Sequence, residues 1–428
     1  MKIAVIGAGW AGCAAAVEAS RHGHQVTLFE AARTLGGRAR KVEVDYQGQT
    51  LALDNGQHIL IGAYLDTLKL MKDLGVEADA ALLRMPLTLQ FPDGDGLRLT
   101  NLPAPLDALL GILSARGWSW AEKFSLLKVA VGWRLKNFEC APDVSVANLC
   151  KGLPPRIMAT FIEPLCVSAL NTAPERSSGQ VFLRVLHDSL FSVSGGSNLL
   201  LPRMDLGALL PDAACKWLQA QGGEIRSGAR VQSISRTPGG WQLQFDPAGA
   251  TTSASGFDKL ILACPPLDAA RLVETTTLPC EPWRALARGL AHEAIATVYA
   301  MAKGTRLPLP MLALRSTASH PAQFVFDRGQ LGGPVGLLAF VVSASTGSSA
   351  DITEQVTQQA AVQLGLHNIE VLQTIVEKRA TFACTPGLRR PGMVVAPGLL
   401  ACGDYVDGPY PATIEGAVRS GLQAAHKL

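Results

Sequence analysis

Lys2-Ile3-Ala4-Val5-Ile6, followed by Gly7-Ala8-Gly9-Trp10-Ala11-Gly12, is the stretch whose reading decides the fold. The apolar run predicts a buried parallel strand. Glycines at Gly7-x-Gly9-x-x-Gly12 end it in a turn, and an alanine-rich segment to about His22 continues as a helix. A second strand over Gln25–Phe29 delivers Glu30 roughly twenty residues after the turn. Each part has a physical role. Gly7 permits the tight turn, Gly9 lets backbone N–H groups approach a pyrophosphate, and Gly12 allows close packing of helix on strand. The helix N-terminus, at Trp10 and Ala11, turns partial positive charge toward phosphates. The Glu30 carboxylate accepts bonds from ribose hydroxyls. The pattern predicts a dinucleotide-binding βαβ unit.

Composition sets the frame. The 428 residues exceed what one simple core organises, so two domains are expected. With 48% hydrophobic and 17% charged residues, the chain reads as well buried rather than disordered. A net charge of +3 gives no case for nucleic acid as a partner. Nine scattered cysteines contain no C-x-x-C pair, so neither a disulfide framework nor a zinc site is expected, and a reducing cytoplasm fits best. The first apolar run is too short for a secretory segment, and no stretch reaches membrane-span length.

Farther along, residues 51–60 read as a strand and loop carrying Asp54-Asn55-Gly56-Gln57-His58. Proline-rich loops alternate with helices between about Met85 and Val193, including Trp118–Leu135 and Arg156–Leu170. Leu206–Gln221 predicts one helix, ended by Gly222-Gly223. Period-two alternation in Trp241-Gln242-Leu243-Gln244-Phe245 predicts a strand. Strand-like runs from Ala294 to Ser343 suit an antiparallel sheet. A helix near Asp351–Leu364, a strand at Leu399–Cys402 and a helix from Thr413 onward close the chain.

The G-x-G-x-x-G turn alone does not distinguish FAD from NAD. Leu35-Gly36-Gly37-Arg38 resembles the second glycine motif of the FAD-containing amine oxidase and carotenoid desaturase superfamily. Gly403-Asp404-Tyr405 with Pro411-Ala412-Thr413-Ile414-Glu415-Gly416-Ala417 resembles its closing FAD motif. The resemblance implies that Gly37 and Arg38 wrap the pyrophosphate and that Gly403 and Asp404 meet the ribityl–phosphate region. Backbone at Thr413 and Ile414 then faces the flavin pyrimidine, and that of Val231 contacts adenine. FAD, held non-covalently, is the expected cofactor. An amine oxidase carries an aromatic residue two positions before Glu415, where this chain has Thr413, so amines are disfavoured.

Asp54 through Gly62, Glu163-Pro164-Leu165, Ala169-Leu170-Asn171-Thr172, Gly195 through Leu200, Lys378 through Phe382 and Tyr410 through Ala417 resemble the hydroxysqualene dehydroxylases. That resemblance covers nearly the whole chain. It implies reductive removal of a hydroxyl from hydroxysqualene to give squalene, a hopanoid or sterol precursor. Reduced flavin N5 delivers hydride after acid-assisted loss of water. Gly56, Gln57 and His58 are expected beside the flavin. His58 is the first candidate for proton donor or positioning residue, against a structural histidine bonded to backbone. Asp54 and Glu163 are weaker candidates, Glu163 reading equally as a helix-end carboxylate.

A lipid substrate implies contact with a membrane surface. The segment Trp118–Arg134 mixes Trp, Leu and Lys/Arg as an interfacial helix does, and equally as a packed helix would. A phytoene-type desaturase, with hydride moving from substrate to FAD, is the alternative, and an amine oxidase or a non-enzymatic FAD module ranks below it. No second G-x-G-x-x-G specifies the electron donor. The expected fold is α/β. A Rossmann-like FAD-binding domain is assembled from 1–85, 195–265 and 386–428, and an α+β substrate domain from 86–194 and 266–385.

Overall fold

The computed structural model describes residues 1–247 and 251–428, without the side chains of Ser192 and Pro247. Its central sheet has six strands in the order Glu224–Arg226, Gln25–Phe29, Lys2–Ile6, Lys259–Leu262, Leu399–Ala401 and Val394–Ala396. All neighbours are parallel except the last pair. Ile3–Ile6 and Leu260–Leu262 are buried, because helices, Trp10–Arg21 among them, cover one face of the sheet and an antiparallel meander packs on the other, leaving no polar side. The chain leaves Lys2–Ile6 toward Gln25–Phe29 on one side, while Lys259–Leu262 lies on the other. Connections therefore diverge at the carboxyl ends of these strands and open a crevice there. Gly7, Glu30, Ala263 and Cys402–Asp404 all emerge at that edge.

Beside it lies a three-stranded meander, Ala229–Thr237, Gly240–Pro247 and Thr252–Phe257. A separate antiparallel sheet runs Met311–Ala313, Phe324–Asp327, Leu337–Ser343, His292–Met301 and Glu370–Phe382. Its side chains alternate between two apolar clusters. Val298 and Ala300 pack with Ile352 and Val356 of the helix Ser349–Leu364. Tyr299 and Met301 face the other way, among Leu53, Leu199 and Phe326. That second face abuts the strand Gln49–Asp54, which ends in the Asp54–His58 loop.

Sequence patterning misplaces some elements. The helix expected over 206–221 is two helices, Leu206–Leu209 and Pro211–Ala220. Pro211 lacks the N–H that a continuous helix needs, but suits the first position of a new one. Glu163 is the first residue of the α-helix Glu163–Leu170, but the chain reaches it already helical. The chain runs through a π-helical turn, Met158–Ile162, directly into Glu163–Leu170. The wide turn relieves the clash that the Pro164 ring would make with the preceding turn of a regular helix. The thirteen-residue edge strand Glu370–Phe382 leaves no clear alternation in the chain, since its half-exposed face dilutes the pattern. Trp118 and Trp133 of the expected interfacial segment are buried in the core.

Candidate functional site

The crevice begins at the glycine turn. Helix Trp10–Arg21 opens on Gly9 without a side-chain cap, so the first-turn amides are left for a ligand. A Cβ at Gly12 would lie 1.8 Å from the Gly7 carbonyl oxygen, whereas one at Gly9 meets nothing closer than the Gly37 Cα at 3.9 Å. Gly12 is a packing glycine, and Gly9 borders open space. Gly9 and Gly36 form a parallel bridge, and the Trp10 indole donates to the Ala39 carbonyl at 3.0 Å. The two glycine segments are thus one cradle. The Glu30 carboxylate accepts the Ala8 and Ala32 amides at 2.7 and 2.8 Å. Each oxygen retains a lone pair for a ribose hydroxyl.

The distant segments converge on the same edge. Arg38 donates to the Ala380 carbonyl at 2.8 Å and forms an ion pair with Asp404. Burial disfavours the Arg38 charge, yet Asp404 and Glu377 more than compensate and raise its pKa. Closing helix Ile414–His426 is capped by Thr413, whose Oγ1 accepts the Gly416 amide at 2.9 Å. The residue standing where an amine oxidase has its aromatic side chain therefore serves as a helix cap. Buried Glu415, which sequence reasoning did not single out, accepts the Asp66 and Thr67 amides at 3.0 Å and the Thr67 hydroxyl at 2.7 Å. It caps helix Leu65–Asp73, which has no capping side chain at Tyr64. Tyr405 is buried with its hydroxyl unpartnered. Val231 is buried and its carbonyl accepts from Arg271 at 3.0 Å. An open glycine cradle, uncapped amides, a ribose-ready carboxylate and an orphaned hydroxyl all suit a flavin dinucleotide.

The Asp54–His58 loop joins this cradle to the antiparallel sheet. Asn55 Oδ1 accepts the Arg40 amide at 2.9 Å, and its Nδ2 donates to the Arg38 carbonyl at 3.0 Å. From the other side, the Tyr299 hydroxyl donates to the Asp54 carbonyl at 2.9 Å. Buried Arg328 donates to Gln57 Oε1 at 3.3 Å. Gly56 faces the Thr297 hydroxyl and the His58 ring, at 3.8 and 3.7 Å from a Cβ placed there. The Thr297 hydroxyl is buried and unpartnered. Thr297, Tyr299 and Arg328 escaped sequence reasoning, because nothing local marks two strand residues and the first residue of a 3₁₀ turn that are recruited from far along the chain. Other blocks also meet. The Gly62 amide donates to the Asn198 carbonyl at 2.9 Å, and Asn171 Nδ2 donates to Thr381 Oγ1 at 3.0 Å.

The three acid candidates have different surroundings. His58 Nδ1 lies 2.7 Å from the Gly56 carbonyl and donates to it, leaving Nε2 to carry a second proton. Protein surrounds the ring on most sides while some solvent contact remains. Burial, with help from Arg38, lowers its pKa despite the Gly56 bond. Glu163 is exposed, and partial burial and Glu175 raise its pKa. Among the described residues, no hydrogen bond or ion pair joins it to His58. Asp54 is 1% exposed. Its Oδ1 accepts the Leu206 amide at 2.8 Å, and its Oδ2 has no partner. Burial raises its pKa to about 6, against that bond and the Arg328 charge.

A stability prediction arises here. The folded pKa of Asp54 lies above the ordinary 3.8, so its proton-linked stability is complete below 3.8 and lost as pH rises through 6. At pH 8 the ionised group costs up to about 3 kcal/mol. Asp54→Asn keeps an acceptor for Leu206 and removes the charge. The variant should resist urea better than the parent at pH 8 and lose that advantage at pH 4. A stability difference that does not vary with pH would rule this out.

Residues 10–428 match the family described as flavin containing amine oxidoreductase. The chain is similar to the hydroxysqualene dehydroxylase of Rhodopseudomonas palustris, at 29% identity over 448 aligned positions, 98% of this chain and 96% of that one. The hydroxysqualene dehydroxylase of Sinorhizobium fredii is 27% identical, over 99% of this chain and 97% of its own length. Among solved structures, an oxidoreductase from Methanosarcina mazei shares the fold, with a TM-score of 0.74 over 100% of both chains at 18% identity. A match of such length, on a crevice shaped for a dinucleotide, means that this chain belongs to the flavin containing amine oxidoreductase family and is an FAD-dependent oxidoreductase.

Proposed function

We propose that this enzyme removes the hydroxyl of hydroxysqualene, giving squalene and water. The observation that carries the reading is similarity to hydroxysqualene dehydroxylases along the whole chain. Non-covalently bound and reduced, FAD supplies hydride from N5. His58 donates the proton that lets the C–O bond break with water as the leaving group. Gln57 and Arg328 fix the loop that presents His58, and the apolar face around Leu53, Tyr299 and Phe326 keeps bulk water away. Segments 1–85, 195–265 and 386–428 hold the cofactor, and 86–194 with 266–385 hold the lipid. The test is anaerobic: photoreduced enzyme, given hydroxysqualene, should form squalene as the flavin reoxidises. Flavin that stays reduced, or oxidised enzyme that instead desaturates squalene or phytoene, would overturn the reading.

The lipid is collected from a membrane surface on the cytoplasmic side. No helix among the described residues is long and apolar enough to cross a membrane. Helix Trp120–Leu135 nevertheless turns Trp120, Phe124, Val131 and Leu135 outward at helical spacing, with 62%, 60%, 55% and 81% exposed. Leu106, Leu109 and Leu110 of the neighbouring helix Leu106–Ser114 are exposed too. Lys128, Arg134 and Lys136 lie among them, placed to reach anionic headgroups. The parent should float with anionic liposomes at low salt. Trp120→Glu with Phe124→Glu should weaken partitioning by about tenfold or more. Equal flotation of both proteins would exclude this face.

A further inference from the structure

We propose that Glu18, His22 and His426 form a binding site for a divalent transition-metal ion, Zn2+ fitting best, that clasps the first helix to the closing helix. Glu18 and His22 stand four residues apart at the end of helix Trp10–Arg21, on one face. His426 is the last residue of helix Ile414–His426. The two helices approach so closely that a Cβ at Gly421 would lie 2.2 Å from the Ala11 carbonyl oxygen. Their ends are brought together by that packing.

The donor geometry is specific. His22 Nε2 and His426 Nε2 each lie 3.5 Å from the same oxygen, Glu18 Oε1. All three donor atoms fall within 4.8 Å of one another. A tetrahedral ion with bonds of about 2.0–2.1 Å holds its ligand atoms roughly 3.3 Å apart, so two of the three edges need little adjustment. Two imidazoles and one carboxylate favour zinc-like ions over Ca2+ or Mg2+, which take mostly oxygen. Both helices also point their C-terminal ends, negative in the macrodipole, at the site. Arg21 lies 3.5 Å from the other carboxylate oxygen, Oε2, and leaves Oε1 to the imidazoles. His22 and His426 are exposed, so an ion can enter and a water can complete its shell. The ion would lock together the helix that begins at the glycine turn and the one that begins at Thr413.

The experiment uses FAD-loaded protein, stripped with a chelator, titrated with ZnCl2 by calorimetry and melted with and without zinc. One Zn2+ per chain and a zinc-dependent rise in Tm are expected. His22→Ala, His426→Ala and Glu18→Gln should each weaken zinc binding by about tenfold or more. Flavin absorbance and the zinc-free Tm should hold, and His22→Gln replaces the alanine variant if the helix end is disturbed. Zinc binding unchanged in the His22→Ala/His426→Ala double variant would show an adventitious ion only and overturn the assignment. So would a Tm response to zinc no larger than the response to Mg2+.

Discussion

Gly9→Val should yield a folded, colourless protein, while Gly12→Ala should yield no folded protein at all. Both positions belong to one fingerprint, yet their surroundings differ. A side-chain carbon at Gly12 would sit 1.8 Å from the Gly7 carbonyl oxygen and 3.0 Å from the Ala263 Cβ, inside the packed junction of helix and sheet. Backbone must move to admit it, and the strand Lys2–Ile6 is central in its sheet. At Gly9 the protein itself offers room, and an extended φ of −74° and ψ of 179° suits any residue. What the valine would fill is the open space before the uncapped first-turn amides, where the phosphates of a dinucleotide would sit. Overpacking of about 1–3 kcal/mol corresponds to about 5- to 150-fold weaker FAD binding. Circular dichroism reports the fold, and FAD titration followed by fluorescence reports affinity. Gly9→Val protein that binds FAD like the parent would mean that the dinucleotide does not lie over this turn.

His58→Ala should lower turnover by about 10²- to 10⁴-fold, the range of a lost general acid, with the flavin spectrum near that of the parent. The parent should also show a pH dependence with a definite sign. Burial holds the His58 pKa below the ordinary 6.5, so the imidazolium that donates its Nε2 proton predominates only below that depressed value. The rate of the reductive half-turnover should therefore rise as pH falls and decline about tenfold per unit above it. Burial raises the Asp54 carboxyl to about 6, and Asp54→Asn should leave the profile in place. Full turnover by His58→Ala would remove the residue as the acid. A profile that shifts in Asp54→Asn instead would move the role to the neighbouring carboxyl.

The cradle was legible from local pattern, and the rest of the site was not. Gly7, Gly9, Gly12 and Glu30 lie within one βαβ unit, where spacing along the chain fixes spacing in three dimensions. Leu35–Arg38 and Gly403–Ala417 were legible only through resemblance, because their common destination depends on the whole sheet. Glu163 illustrates the cost of reading position without packing. Its proline neighbour fits the first turn of the helix Glu163–Leu170, but a π-helical turn leads into that helix without a break, and the carboxylate is exposed. Trp118 and Trp133 read as interfacial until packing turned them inward and left Trp120 and Phe124 outside.

By itself, the sequence determined that a strand, a glycine turn and a helix would leave uncapped amides facing open space, since Gly7 and Gly12 leave no room for a side chain and Gly9 carries none. Tertiary structure alone decided that Tyr299 and Arg328 would grip the Asp54–His58 loop, and that Arg38 would face Asp404. These partners are separated by 245, 271 and 366 positions. Only burial of both sheets against one loop brings them within hydrogen-bond reach, and no periodicity in the chain encodes that meeting.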